Sequence, residues 1–367
     1  MRAITILLST LILATACSES GEDSTPNIDA TAVALQTERK PFYGRNPQSS
    51  APSHEVATEK IRLEHTGWGD SYGTFTLNFP EQSSKRIILE YIMGCEGERP
   101  ADYDNTTIFF VKDKATEQWH EIARAFTPFG GHFESDWEKR FYLDVTEFQS
   151  LLQGETEFRY YYGGFDAKEN MAHAVTLKFI HYKGEPERKL IAVKNIYDSA
   201  TTDNCGNRAW VYGIESYDIE ADERLGIRNV DVPTGTAYIE LRLSITGHGH
   251  DQGTFPDLGT TAVNAAEFDE NIYTLKVNGT KQSQQGRIFY SNANNYVQMG
   301  TYNYDRANWA PGNPANIHYW SIDSNAVNNG KLSLDIDLQR FVSQFNGPTD
   351  NDGVARYIVQ ADLFFYQ

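Results

Sequence analysis

An acidic turn, Ala101-Asp102-Tyr103-Asp104, runs directly into the β-type sequence Thr106-Thr107-Ile108-Phe109-Phe110-Val111. That placement would hold Asp104 rigidly at a sheet edge. Much later in the chain, Glu267 in Ala265-Ala266-Glu267-Phe268 stands ahead of a second run, Ile272-Tyr273-Thr274-Leu275-Lys276-Val277. Two similar modules could therefore each present one acid to a shared cleft. Paired carboxylates in unequal surroundings suit hydrolysis, because one can take a proton from water while the other holds a reactant in register. Each acid also has a plainer use. An Asp before a strand commonly caps backbone amides, and Glu267 alone reads as an ordinary solvated acid.

His248-Gly249-His250 invites a metal reading, since alternate strand residues point to one side and would offer two imidazoles to copper or zinc, with Met299 as a third ligand. Copper monooxygenases that hydroxylate peptide ends use a His-x-His element on two jelly rolls. They also need a second copper centre, and no adjacent His-His pair occurs among the 9 histidines. A ligand contact or turn structure is the preferred role of these histidines, and no metal or cofactor is expected. The cysteines lack zinc or iron–sulfur spacing.

These side chains must be placed by strands. Period-2 alternation and aromatic or β-branched runs recur at YGTFTLNF from 72, RIILEYIM from 86, TTIFFVKD from 106, RFYLDV from 140, TEFRYYY from 156 and AVTLKFIHY from 174. After the polar hinge at 184–189 the pattern resumes in KLIAVKNIY, TAYIELRLSITG, IYTLKVNG, KLSLDIDL and ARYIVQADLFFYQ. Only TEFQSLL, from 146, suggests a helical turn, with Thr146 as its cap. Asn278-Gly279 and Asn329-Gly330 mark hairpin turns. With 13% aromatics and no βαβ rhythm, the sequence predicts an all-β protein of two adjacent antiparallel jelly-roll sandwiches. The domains run over 56–183 and 189–367.

The first 17 residues carry one Arg, an apolar run from Ile4 to Leu13 and small residues before Cys17, the pattern of a bacterial export signal too short to span a bilayer. Ala14-Thr15-Ala16-Cys17 resembles a lipobox, which would leave Cys17 as the lipidated first residue, and Ser18 after it resembles sorting to the outer membrane. The expected location is the cell envelope, as an outer-membrane lipoprotein, or outside the cell by plain secretion. Residues 18–55 lack an apolar period and read as a flexible linker. A net charge of -18 repels phosphate backbones and anionic lipid, so nucleic acid is not a partner and any membrane contact is through the lipid alone. A monomer is expected. Cys95 and Cys205 are read either as a bridge between the domains or, more plainly, as two lone buried thiols.

The order of several segments resembles the peptide-N-glycosidase F family, bacterial amidases that remove N-linked glycans from asparagine. The likeness covers nearly all of 60–367. It is carried by GTFTLNFP from 73, the block from Cys95 to Gly130, LDVTEFQSLLQGETEF from 143, ITGHGH from 245, AAEF from 265 and YDRANWAPG from 304. The resemblance implies two eight-stranded jelly rolls with the active site in their seam. It puts the principal catalytic aspartate on Asp104, beside Tyr103, and the second acid on Glu267, followed by Phe268. It assigns the segment near the sugar to Asp305, Arg306, Ala307 and Trp309, and a glycine-histidine element to Gly249 and His250. Asp104 would then activate or orient water against the side-chain carbonyl, and Glu267 would hold the sugar or the water. Arg306 would hold a sugar hydroxyl or support a carboxylate, and Trp309 and Tyr103 would offer flat faces to a pyranose. Without the resemblance, Arg306 and Trp309 read as a surface cation–π pair.

Several positions depart from the family pattern. Its third acid falls on Gly163, with Asp166 or Glu169 on the adjoining loop as candidates to replace it, and its arginine next to the aspartate is Asn105. Half-cystine positions fall on Pro100, Ala265, Asp269 and Ala310, which implies looser loops around the cleft. The expected substrate is an N-linked glycopeptide or glycoprotein. The rival reading is a noncatalytic glycan-binding lipoprotein on the same scaffold.

Overall fold

A computed structural model of the chain describes residues 34–63, 67–166, 171–199, 209–213, 223–249, 266–341 and 355–367. Cys17, Cys205, His250, Glu169 and the Asp166 side chain lie outside this set. So does the leader, and no helix among the described residues is long and apolar enough to cross a membrane.

The fold is all-β, in two antiparallel sandwiches. In the first, β5 (Gly67–Phe79), β10 (Gly154–Asp166), β7 (Thr106–Lys112) and β8 (Trp119–Phe126) form one sheet in that order. It faces a second sheet of β2 (Phe42–Tyr43), β9 (Lys139–Asp144), β6 (Ser84–Gly97), β11 (Met171–Lys183) and β3 (His54–Ala57), with β4 (Ile61–Leu63) also on β11. The second sandwich has a sheet of β1 (Ala34–Arg39), β18 (Ile317–Ile322), β15 (Tyr238–His248), β20 (Arg356–Tyr366) and β12 (Leu190–Tyr197), with β13 (Trp210–Tyr212) on β20. Its facing sheet runs β14 (Arg228–Asp231), β19 (Lys331–Leu338), β16 (Asn271–Val277) and β17 (Thr280–Ile288).

Alternation explains the cores. Ile87, Leu89, Tyr91 and Met93 of β6 point inward against Phe109 and Val111 of β7 and Phe158 and Tyr162 of β10. Leu241, Leu243 and Ile245 of β15 do the same against Leu275 and Leu334 in the second sandwich. Each such side chain contributes about 1.5–3 kcal/mol on full burial. The two Asn-Gly turns form as expected: Asn278 and Gly279 have φ of 51° and 76°, and Asn329 and Gly330 have φ of 50° and 72°. These are the left-handed angles that a two-residue hairpin turn requires.

Two expectations are corrected. The flexible linker predicted over 18–55 includes β1, which pairs residue by residue with β18 from Ala34↔Ile322 to Arg39↔Ile317. A strand added to a sheet edge needs only backbone donors and acceptors, so it forms without an apolar period. Side chains assist it, because Gln282 and Gln284 accept from the amides of Ala34 and Gln36. Thr146 does not cap its turn. The turn is a 3₁₀ helix, Thr146–Phe148, preceded by Val145 without a side-chain cap, and the Thr146 hydroxyl instead accepts from the Ile87 amide at 3.0 Å.

β8 went unread in the sequence because charges interrupt its apolar pattern. Its other face is buried too, against β15 and β20 of the second sandwich, and the charged residues are paired there. His120 Nδ1 lies 2.7 Å from Asp362 Oδ1, with both side chains fully buried. Arg124 donates to the Thr246 hydroxyl at 2.7 Å, to Ile358 O at 2.8 Å and to Glu121 at 2.5 Å. Arg242 donates back to Glu121 O at 2.8 Å. Beside this network, Ile108, Phe110 and Tyr161 of the first sandwich pack on Trp210, Tyr212 and Ile358 of the second. The seam is thus buried and ionically cross-linked. Cys95 is buried and free.

Candidate active site

The turn ahead of β7 is fixed by its backbone. The Asn105 amide donates to the Thr127 hydroxyl at 2.7 Å, the Thr127 amide donates to Asn105 O at 2.9 Å, and the Thr127 hydroxyl also donates to Tyr103 O at 3.2 Å. The Asn105 side chain, buried, donates to the Tyr162 hydroxyl at 2.7 Å. Gly130 N donates to Ala101 O at 3.0 Å. Asp104, between two pinned neighbours, is held at the rim with its side chain 12% exposed.

Glu267 is fixed in the same manner. Its amide donates to Gly249 O at 3.1 Å and its carbonyl accepts from Ala307 N at 2.9 Å. Gly247 is required at this crossing, since a Cβ there would run into the carbonyl of Ala266. The Glu267 side chain is 16% exposed.

Arg306 brings the two acids together. Its side chain is fully buried, with Nη2 3.2 Å from Asp104 Oδ2 and Nε 3.5 Å from Glu267 Oε1. It is locked from behind by the Thr301 carbonyl and hydroxyl and by the Tyr304 carbonyl, at 2.8, 2.9 and 3.2 Å. The rings of Trp309 and Phe268 lie against it, with centroids at 4.7 and 4.9 Å. One guanidinium facing two carboxylates leaves the trio with a net negative charge. It holds both acids within one short span, where a water and an amide can reach them together.

The other expected residues divide. Tyr103 is 47% exposed beside Asp104 and presents an aromatic ring to solvent. Trp309 does not: it is 3% exposed, its ring lies 4.3 Å from that of Phe126 and 5.6 Å from that of His248, and its Nε1 donates to Gly247 O at 2.8 Å. It is a wall behind Arg306 rather than a sugar platform. The pairing of Arg306 with Trp309 is buried, not on the surface. Asp305 accepts from the Asn292 amide at 2.8 Å, which shapes the loop.

His248 belongs to the same ring cluster, and its Nε2 lies 2.8 Å from the Thr246 hydroxyl. Burial, reinforced by Arg356, Arg124 and Arg306, pushes it well below the ordinary histidine range, so it is neutral. Among the described residues no three of His, Cys, Asp and Glu gather as a metal set. Gly163 sits on β10 between Asp70 on β5 and Thr106 on β7.

No family model matches the chain. A sequence relative does: peptide-N(4)-(N-acetyl-beta-D-glucosaminyl)asparagine amidase F of Elizabethkingia miricola is 27% identical over 324 residues, covering 85% of this chain and 83% of that protein. The crystal structure of a protein of that name superposes with a TM-score of 0.62 at 23% identity, covering 85% of this chain and 96% of its own. In sequence and fold this chain is similar to peptide-N-glycosidase F.

A peptide-N-glycosidase F structure described as a glycosylasparaginase from Flavobacterium meningosepticum gives a TM-score of 0.60 at 24% identity with the same coverage. The structure called PNGF-II gives 0.56 at 15%, covering 91% of this chain and 65% of its own. The likeness to peptide-N-glycosidase F is long enough to include both sandwiches, so the seam belongs to the shared architecture. Phe126, Thr127 and His248, which build the walls around Asp104 and Arg306, were not singled out for that purpose in the sequence. Their partners come from distant strands and leave no local spacing to read.

Proposed function

We propose that the chain is an amidase that hydrolyses the bond between asparagine and N-acetylglucosamine in glycopeptides, leaving aspartate and releasing a glycosylamine. The observation that carries this reading is the Asp104–Arg306–Glu267 bridge at the rim of the seam, in a relative of a glycopeptide amidase. Asp104 takes the proton of a water or aligns that water against the side-chain carbonyl. Glu267 holds the water or the sugar in register. Arg306 holds both carboxylates aimed, a positioning role, since its side chain is wholly buried. Tyr103 offers its exposed ring to the apolar face of the sugar. No cofactor enters this scheme.

The reading extends to a protein made as an envelope lipoprotein on Cys17 and acting as a monomer, with the bodies of its domains at 56–183 and 189–367 and the preceding strands β1 and β2 added to the second and first sandwich respectively. His250 contributes a polar contact to the glycan. A noncatalytic glycan binder is the second reading, and Gly163, which puts no carboxylate on the strand beside the Asp104 turn, is the feature that favours it. Incubation with an N-glycopeptide separates the two: the amidase converts Asn to Asp, and the binder returns its ligand intact.

A further inference from the structure

On the first sandwich, Asp70 of β5, Gly163 of β10 and Thr106 of β7 lie in one row across three strands, and β7 is the strand that follows the Asp104 turn. Directly opposite residues share a face, so Asp70 and Tyr72 of β5 stand on the same side as Tyr161 and Gly163 of β10. This is the side that meets the second sandwich, because Tyr161 packs edge-on against Trp210 with ring centroids 5.9 Å apart.

Asp70 is exposed, and both of its oxygens are oriented by phenols. Oδ1 accepts from the buried Tyr161 hydroxyl at 2.9 Å, and Oδ2 accepts more loosely from Tyr72 at 3.4 Å. Burial first, then the Asp70 charge, keeps Tyr161 protonated, so it donates. Gly163 is part of this device. Any Cβ there would collide with the Tyr161 ring and hydroxyl, so the missing side chain is what lets the phenol lean toward Asp70. A carboxylate has about four acceptor sites, and the phenols use two. The remaining lone pairs face solvent beside the 37%-exposed Tyr72 ring, a pairing of planar acceptor and aromatic edge suited to the hydroxyls and C–H face of a sugar.

We propose that Asp70 contacts the glycan of the substrate through its hydroxyl groups, with Tyr161 as its positioning residue and Gly163 as the gap that admits Tyr161. The inference rests on the glycopeptide reading of the same seam. It is tested on the full mature protein with an N-glycopeptide of defined composition, by calorimetric Kd and by KM and kcat, for Asp70→Asn, Tyr161→Phe and Gly163→Ala.

Asp70→Asn is expected to weaken Kd and raise KM roughly tenfold. Tyr161→Phe should give a smaller change in the same direction, and adding it to Asp70→Asn should have little further effect. Gly163→Ala should resemble Tyr161→Phe, with the melting curve of Asp70→Asn unchanged. Unaltered Kd and KM in Asp70→Asn overturns the proposal. If the protein binds the glycopeptide without cleaving it, the amidase reading fails while Kd still decides the role of Asp70. If the unmodified protein binds none, both fail.

Discussion

Arg306 of the second sandwich reaches Asp104 of the first, with Nη2 3.2 Å from the carboxylate, while the same guanidinium lies 3.5 Å from Glu267. Each sandwich thus contributes half of an ionic unit that exists only when both are docked. Removing the guanidinium would leave two partly buried carboxylates facing each other. One of them would take up a proton and lose its use as a base. Arg306→Met is expected to lower kcat on an N-glycopeptide at least about a hundredfold and to cost about 3–5 kcal/mol in urea unfolding. Arg306→Lys should recover little, because a point charge cannot span both acids. Near-native turnover in Arg306→Met would show that the bridge is structural ornament.

The seam itself is tested at Arg124, which is buried and donates into β15 and β20. Arg124→Met removes the cation paired with the buried Glu121 carboxylate and leaves it Ser199 and the nearby Arg242, so a loss of about 3–5 kcal/mol is expected. Replacing Glu121 by Gln in the same chain should return part of that loss, and urea melts of the two single variants and the double variant measure the coupling. Additive effects would mean that the pair is not energetically joined.

A strand with clean alternation, such as β19, was legible because one face meets a core and the other meets water. β8 was not, because the sequence His120-Glu121-Ile122-Ala123-Arg124 is polar where it meets another polar face, and only the docked partner reveals the pairing. β1 was hidden for a different reason: it is held through its backbone, which sequence pattern does not record. In the site, Asp104 and Glu267 were found through the turns before strands and through resemblance. The burial of Trp309 was not found, since an aromatic residue in a loop sequence carries no sign of which rings will cover it.

The chain passes from the second sandwich at β1 to the first at β2, and Arg39 at the end of β1 touches both. Arg39 Nη2 donates to both Glu240 carboxylate oxygens at 2.7 Å, its Nη1 lies 3.8 Å from Glu147, and its guanidinium is 3.7 Å over the Tyr319 ring. A chain beginning at residue 41 is therefore expected to melt several degrees lower than one beginning at residue 18, and Arg39→Ala should reproduce part of that fall. Equal melting temperatures for the two chains would restore the reading of this segment as a plain linker.

Acid sensitivity follows from buried histidines. Burial lowers His173 to about 3, and His181 and His318 to about 4. Their unfolded pKa is near 6.5, so below that value the unfolded chain binds more protons than the folded one, and stability falls as pH drops toward 4. Glu147 acts in the opposite direction, since burial raises its carboxyl pKa and its protonation favours the fold in acid. His248, pushed further down by burial and nearby arginines, joins these histidines, and Asp269, raised by burial, joins Glu147, so four histidines stand against two carboxyls. The melting temperature should decline between pH 6.5 and 4, and His181→Gln should flatten the slope. A flat profile in the unmodified protein would contradict this.

His173 also ties acid sensitivity to function, because it packs against the backbone of Ala101 and Tyr103 beneath the Asp104 turn. Activity lost on brief exposure to pH 4 should return at pH 7 as the turn reforms, as timed assays after a pH jump would show. Permanent loss under conditions that leave the protein soluble would mean that the turn is not the acid-sensitive element.

The most direct test is the mass of the peptide left after a chain beginning at residue 18 has acted on a defined N-glycopeptide. The account predicts a free peptide in which the glycosylated Asn has become Asp, formed by the unmodified chain and absent with Asp104→Asn and with Glu267→Gln. Intact glycopeptide recovered from the unmodified chain, or full conversion by Asp104→Asn, would contradict it.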